Sequence, residues 1–224
     1  MDNGKNAIRL TGTIAEMPVF SYDTYGETFY QLVLAVPRLS GVHDMLPVTA
    51  NERLLDLVSP EPGLPLHLEG QVRTYDQFIN GVCRLTITAF ARRLTSITKE
   101  DRSNTVLLSG VLCKPPAYRT TPFGREITDM MLVVHRNFGK SDYIPCIAWG
   151  YNARHAAELS VGDAISLEGR LQSRPYQKQL LDGSTLERVA YEVSVHFLCS
   201  PQHKFPEWAD GVVGLEHGSN AISQ

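Results

Sequence analysis

Tyr143 and Trp149 stand six residues apart in a strand-like segment, and an even separation on an uninterrupted strand puts both rings on one face. Two aromatic platforms on one face can stack unpaired nucleobases, a contact worth roughly 1–3 kcal/mol per base and indifferent to base identity. The competing structural role for strand aromatics is packing in a core. Other chemistries find less support. His43, His67, His135, His155, His196, His203 and His217 are scattered with no HxxxH pair, so a zinc-type site is not indicated. Cys83, Cys113, Cys146 and Cys199 are far apart with no CxxC pair and read as buried reduced thiols. No GxSxG elbow or Walker phosphate loop occurs, so the expectation is a protein without catalytic activity, metal or cofactor.

Charge points the same way. The net charge is −3, and residues 1–97 hold eight Lys/Arg against ten Asp/Glu, residues 104–198 ten against nine. A duplex binder relying on bulk positive charge is therefore not expected, and a nucleic-acid role has to rest on a local groove plus stacking. No basic-then-apolar leader precedes the first strand and no apolar run approaches the roughly 20 residues of a membrane span, so a cytoplasmic protein with no membrane contact is expected.

The elements that position these residues emerge from an internal repeat. An offset of 98 brings Leu10-Thr11-Gly12 onto Leu108-Ser109-Gly110, Pro18 onto Pro116, Phe20 onto Tyr118, Tyr25-Gly26 onto Phe123-Gly124, Arg38 onto Arg136, Asp44 onto Asp142 and Pro47 onto Pro145. One further residue places Leu68-Glu69-Gly70 on Leu167-Glu168-Gly169. Glycine and proline fix turns and interrupt pairing, so their coincidence at one offset marks a duplicated domain. The expected division is a first unit over 1–97, a linker over 98–103, a second unit over 104–198 and a short, loose tail over 199–224, with Trp208 as a packing anchor.

Each unit reads as strands. In the second, Val106–Leu112, Ile127–Val134, Tyr143–Trp149, Ala164–Arg170 and Val189–Leu198 are apolar or alternating, and the alanine-rich Tyr151–Leu159 is a short helix closed by Gly162. Glu52–Val58 occupies the same slot in the first unit. Five strands with a helix between the third and fourth is the plan of the oligonucleotide-binding fold. The expected class is all-β, as two such barrels in tandem.

The second unit also resembles the bacterial single-stranded DNA-binding proteins. The resemblance lies in Val106–Gly110, Pro116–Gly124, Asp142–Gly150, Gly162–Ile165 and Leu167–Tyr176, in order and spacing, over about 95 residues. It implies bases stacked on Phe138, Tyr143, Trp149 and Tyr176, with Arg119, Arg136, Lys140, Arg170, Arg174 and Lys178 following the phosphates. Arg136 and Arg174 each stand two residues before one of these aromatics, the interleaving that such a groove requires.

The first unit departs from this set, since Ser40, Met45 and Asn51 occupy the places of Phe138, Tyr143 and Trp149. It offers Phe20, Tyr22, Tyr25, Tyr75 and Phe78 instead, and somewhat resembles primosomal replication protein N. The family's long linker and acidic tip are also missing, so recruitment of repair partners through the tail is not expected. Two functions follow. The first is coating of single-stranded DNA without sequence preference, in replication, recombination or repair, by a homodimer presenting four barrels. RNA is not excluded as a ligand, because stacking does not distinguish it. The alternative is a protein–protein module of primosome type with weak DNA binding.

Overall fold

The computed structural model describes residues 5–79, 81–97, 103–136, 139–179, 183–199 and 203–214. The first unit runs β1 (Asn6–Ile14), β2 (Val19–Thr24), β3 (Glu27–Pro37), β4 (His43–Asn51), α1 (Glu52–Asp56), β5 (Pro65–Ile79) and β6 (Val82–Ser96). The second repeats it as β7 (Asn104–Leu112), β8 (Ala117–Thr120), β9 (Glu126–His135), β10 (Ser141–Trp149), α2 (Tyr151–Ala157), β11 (Ala164–Gln179) and β12 (Thr185–Cys199). A third helix, α3 (Glu207–Gly214), follows.

Five strands of each unit pair in a closed cycle. β1 pairs with β3, β3 with β4, β4 runs parallel to β6, β6 pairs with β5, and β5 returns to β1. β7, β9, β10, β12 and β11 repeat the cycle. The chain is thus two five-stranded oligonucleotide-binding barrels in tandem, each with its helix between the third and fourth barrel strands. Alternation fills both cores: Leu10, Leu34, Leu46 and Leu68 point inward in one, and Leu108, Leu132, Ile144 and Leu167 in the other.

Two features exceed the sequence reading. β2 and β8 are short extra edge strands, paired only to β3 and β9, in segments outside the strands read from the sequence. The last two strands of each barrel are also longer than their apolar stretches. β11 and β12 stay paired out to Gln179 and Thr185, far beyond Arg170 and Val189. A strand pair that projects from the barrel is wet on both faces, so its hydropathy carries no alternation to read. At the root of this hairpin a bulge falls between Glu168 and Gly169, where a Cβ on Gly169 would run into the Ser194 carbonyl oxygen. Only glycine allows that approach.

The barrels join edge to edge through β1 and β7, which pair antiparallel as Asn6↔Leu108, Ile8↔Val106 and Leu10↔Asn104. Exchanging each residue for its repeat partner at offset 98 returns the same set of pairs. The seam is therefore two-fold symmetric, centred on Ile8 and Val106. Asn6 donates to the Val72 carbonyl at 2.7 Å and accepts from the Val72 N–H at 2.8 Å. Asn104 repeats this on Leu171 at 2.8 and 2.9 Å.

Residues 203–214 differ from the loose tail expected. Phe205, Ala209 and Val212 pack on Ala7 and Leu107, on the outer side of the seam. The Arg9 guanidinium lies 4.2 Å from the Trp208 ring centre, and Lys5 pairs with Asp210 at 2.6 Å. Apolar residues at 205, 209 and 212 follow a helical stripe, and that stripe finds a sheet to cover. Trp208 is the packing anchor expected. Residues 215–224, and 98–102 of the expected linker, lie outside the described residues.

Candidate nucleic-acid interface

β10 sends Ile144, Cys146 and Ala148 into the core, so the odd-numbered positions Tyr143 and Trp149 take the opposite face. Tyr143 is 47% exposed and Trp149 half-buried. Across the ladder Tyr143 faces Val133 and Trp149 faces Ile127, and Ile127 is in turn opposite Arg119 of β8. A row Arg119–Ile127–Trp149 thus crosses three strands at one end of this face. On the other side β12 runs parallel to β10 and carries β11 beyond it, with Gln172 opposite Glu192 and Tyr176 opposite Arg188.

Tyr176 lies beyond the strand read as Ala164–Arg170, on the projecting part of β11, 41% exposed, with Arg174 two residues before it on the same side. Lys178 continues that row toward the hairpin tip and is exposed. Phe138 falls outside the described residues. Lys140, exposed, sits in the turn before β10, where its carbonyl accepts the Arg136 N–H at 2.8 Å.

The cations divide into two groups. Arg119 pairs with Asp129 (2.9 Å) and Arg174 with Glu192 (3.0 Å), both on the outer face. The hydrogen bond to Glu192 raises the Arg174 pKa, so that guanidinium is held charged and aimed. Arg136 and Arg170 point elsewhere. Arg136 pairs with the fully buried Asp142 at 2.9 Å, and Arg170 reaches Asp44 of the other barrel at 3.6 Å. Burial is the main cause of the lowered Arg170 pKa, followed by its neighbour Arg38. These two residues belong to the barrel–barrel contact as much as to the open face.

That contact is the feature sequence reasoning passed over. Asp142 accepts the Thr74 N–H at 2.7 Å and pairs with Arg73 at 3.1 Å, while the Thr74 hydroxyl accepts the Tyr143 N–H at 2.8 Å. Asp44 likewise accepts the Ser173 N–H at 2.7 Å and an Arg38 hydrogen bond at 2.8 Å, and the Met45 N–H donates to the Ser173 hydroxyl at 3.1 Å. The backbone of Tyr143 is therefore held by the first barrel. The signal was present in the repeat, where Asp44/Asp142 and Arg38/Arg136 are charged residues retained among structural glycines and prolines.

Among the described residues, no group of three or more His, Cys, Asp or Glu side chains could hold a metal ion, and no helix is long and apolar enough to cross a membrane. What the geometry offers is an open sheet face with exposed aromatics and paired arginines, on a protein of the tandem oligonucleotide-binding-fold class.

Comparison with known proteins bears on the second barrel. Residues 103–198 match the model of the single-strand binding protein family. Single-stranded DNA-binding protein 1 of Staphylococcus aureus is 39% identical over 83 residues, 34% of this chain and 50% of that protein. Single-stranded DNA-binding protein A of Bacillus subtilis is 36% identical over 102 residues, 42% of this chain and 59% of its own length. The chain spans about half the length of these relatives. The crystal structure of the single-stranded DNA-binding protein from Thermus aquaticus superposes with a TM-score of 0.70, covering 91% of this chain and 96% of that one at 23% identity. That likeness covers both barrels and concerns the fold.

Proposed function

We propose that the chain binds single-stranded DNA with little sequence preference, as a non-catalytic coat in replication, recombination or repair. The observation that carries the reading is the pair Tyr143 and Trp149 on one open face of β10, within the barrel that matches the family. Stacking supplies affinity for any base, and Arg119, Arg174, Lys140 and Lys178 supply cations along the strand's path. Exchange of Asp129 or Glu192 for a phosphate at Arg119 or Arg174 keeps each guanidinium paired. The family match favours this reading over a module devoted to assembly alone.

Titration of a labelled oligo-dT, followed by anisotropy at two salt concentrations, tests it. Saturable binding that weakens as salt rises supports the reading. No binding up to tens of micromolar overturns it. A parallel titration with oligo-rU reports whether the 2′-hydroxyl matters.

The finer parts of the reading are a cytoplasmic, nucleoid-associated protein and a homodimer that brings four barrels together. The two-fold seam already present within one chain supports a symmetric assembly, and Leu39 and Val42 give each chain exposed apolar groups in the turn between β3 and β4. Light scattering that finds a stable monomer at working concentration overturns the dimer.

A further inference from the structure

We infer that Thr74 of the first barrel is a positioning residue for the stacking site of the second: its hydroxyl fixes the strand end that carries the Tyr143 ring. This rests on the reading of β10 as the stacking face and adds to it a residue outside the family match.

Anchorage comes first. β10 pairs with β9 along one edge, from Ser141 to Trp149. Along its other edge β12 covers only Cys146, Ile147 and Ala148. Trp149 therefore adjoins a stretch that its own barrel pairs on both sides, whereas Tyr143 stands three residues outside that stretch. The Tyr143 N–H ends on the Thr74 hydroxyl at 2.8 Å. The two platforms of one face are thus anchored in different units.

The hydroxyl is itself held. Thr74 is buried, and an N–H can only donate, so the hydroxyl oxygen accepts in this bond. Its own proton is left for the fully buried Asp142 carboxylate 3.5 Å away, which also accepts the Thr74 N–H at 2.7 Å. Arg73 grips the same carboxylate at 3.1 Å. A methyl group in place of the hydroxyl keeps the shape of the side chain and leaves the Tyr143 N–H without its acceptor.

The ring has room to miss its mark. Tyr143 borders a cleft of about 350 Å³, shared with Lys114, Met131 and Ser141 of its own barrel and Tyr75, Asp76 and Leu85 of the first. A binding side chain works only when held within about 0.5 Å of its productive place. Beside an open cleft that task falls to the backbone, and the backbone here is tied to Thr74.

The internal two-fold supplies a control. Met45 takes the place of Tyr143 in the first barrel and donates its N–H to the Ser173 hydroxyl at 3.1 Å. There β6 pairs with β4 only at Val48 and Thr49, so Met45 also stands beyond its own barrel's pairing. The same anchor holds a side chain that has no ring. Loss of the bond as a structural tie is read at Ser173, and loss of the bond as a positioning device at Thr74.

Full-length Thr74→Val, Thr74→Ser and Ser173→Ala are titrated with labelled oligo-dT at one fixed salt concentration. Thr74→Val should weaken binding at least about fivefold, the lower end of a lost stack, while Thr74→Ser and Ser173→Ala keep wild-type affinity. Added to Tyr143→Ala, Thr74→Val should cost nothing further, because it acts through that ring. Wild-type affinity in Thr74→Val, an equal loss in Ser173→Ala, or losses that multiply in the double variant overturn the proposal. If Thr74→Val melts well below Ser173→Ala, amide exchange in the wild-type protein decides. Saturating oligo-dT should slow exchange of the Tyr143 N–H more than that of the Met45 N–H, and equal slowing overturns the proposal. Failure of the underlying reading looks different: wild-type protein binds no oligo-dT, or Tyr143→Ala binds like wild type, and both claims then fall.

Discussion

Asp142 in the second barrel accepts the backbone N–H of Thr74 in the first at 2.7 Å, and the Thr74 hydroxyl accepts the N–H of Tyr143, the residue after Asp142. The same bond, related by the internal two-fold, joins Asp44 to Ser173. Each barrel therefore lends a buried carboxylate to the projecting hairpin of the other. The unit that carries the proposed stacking residues is held in register by the unit that lacks them.

Asp142→Ala leaves Arg73, Arg136 and the Thr74 amide facing one another without their shared acceptor. Breaking one partner out of a buried charge network costs about 3–5 kcal/mol. Urea unfolding should show a loss of that size, with Asp44→Ala matching it. A loss below about 1 kcal/mol in both would mean that the carboxylates do not hold the barrels together.

Val212→Asp puts a charge between α3 and the seam, where Val212 packs with Ala7 and Leu107. The helix should detach, uncovering an apolar strip on β1 and β7. Expected readouts are increased binding of a hydrophobic dye and a stability loss of about 1–3 kcal/mol. Unchanged dye binding and an unchanged melt would remove α3 from the account of the seam.

Burial pushes the Cys146 thiol well above its ordinary range, so the folded chain keeps a proton that the unfolded chain releases near pH 9.0. The sign follows from proton counting: above that pH the folded state binds more protons, so stability falls as pH rises. Cys146→Ala should flatten that fall in denaturation curves taken from pH 8 upward. Because alkylation needs the thiolate, iodoacetamide should modify exposed Cys83 before Cys146 in native protein. Early modification of Cys146 would contradict its placement in the core.

Sequence carried the fold further than the site. Ile144, Cys146 and Ala148 alternate with Tyr143 and Trp149, so one period-2 pattern gave both the core and the open face. The duplicated Leu-Glu-Gly marks the bulges, because a close backbone approach admits no side chain there. Tyr176 fell beyond the strand read as Ala164–Arg170 because a hairpin projecting into solvent has no buried side to pattern its residues. Arg136 and Arg170 read as phosphate contacts because a residue list does not reveal that Asp142 and Asp44 sit beneath them. Asp142 is six positions from Arg136, but the Arg73 that it also holds is 69 positions from it and Asp44 is 126 from Arg170; contacts that distant leave no local trace, and only the repeat hinted at them. Residues 205–212 read as tail because eight helical residues have little propensity of their own and take shape on the sheet they cover.

The most direct test is the affinity of Trp149→Ala and Tyr143→Ala for labelled oligo-dT, measured against wild type at one fixed salt concentration. Loss of one stacking platform, about 1–3 kcal/mol, should weaken binding by roughly five- to 150-fold in each variant, with the melting curve unchanged. Wild-type affinity in both variants would contradict the assignment of the β10 face as the site of stacking.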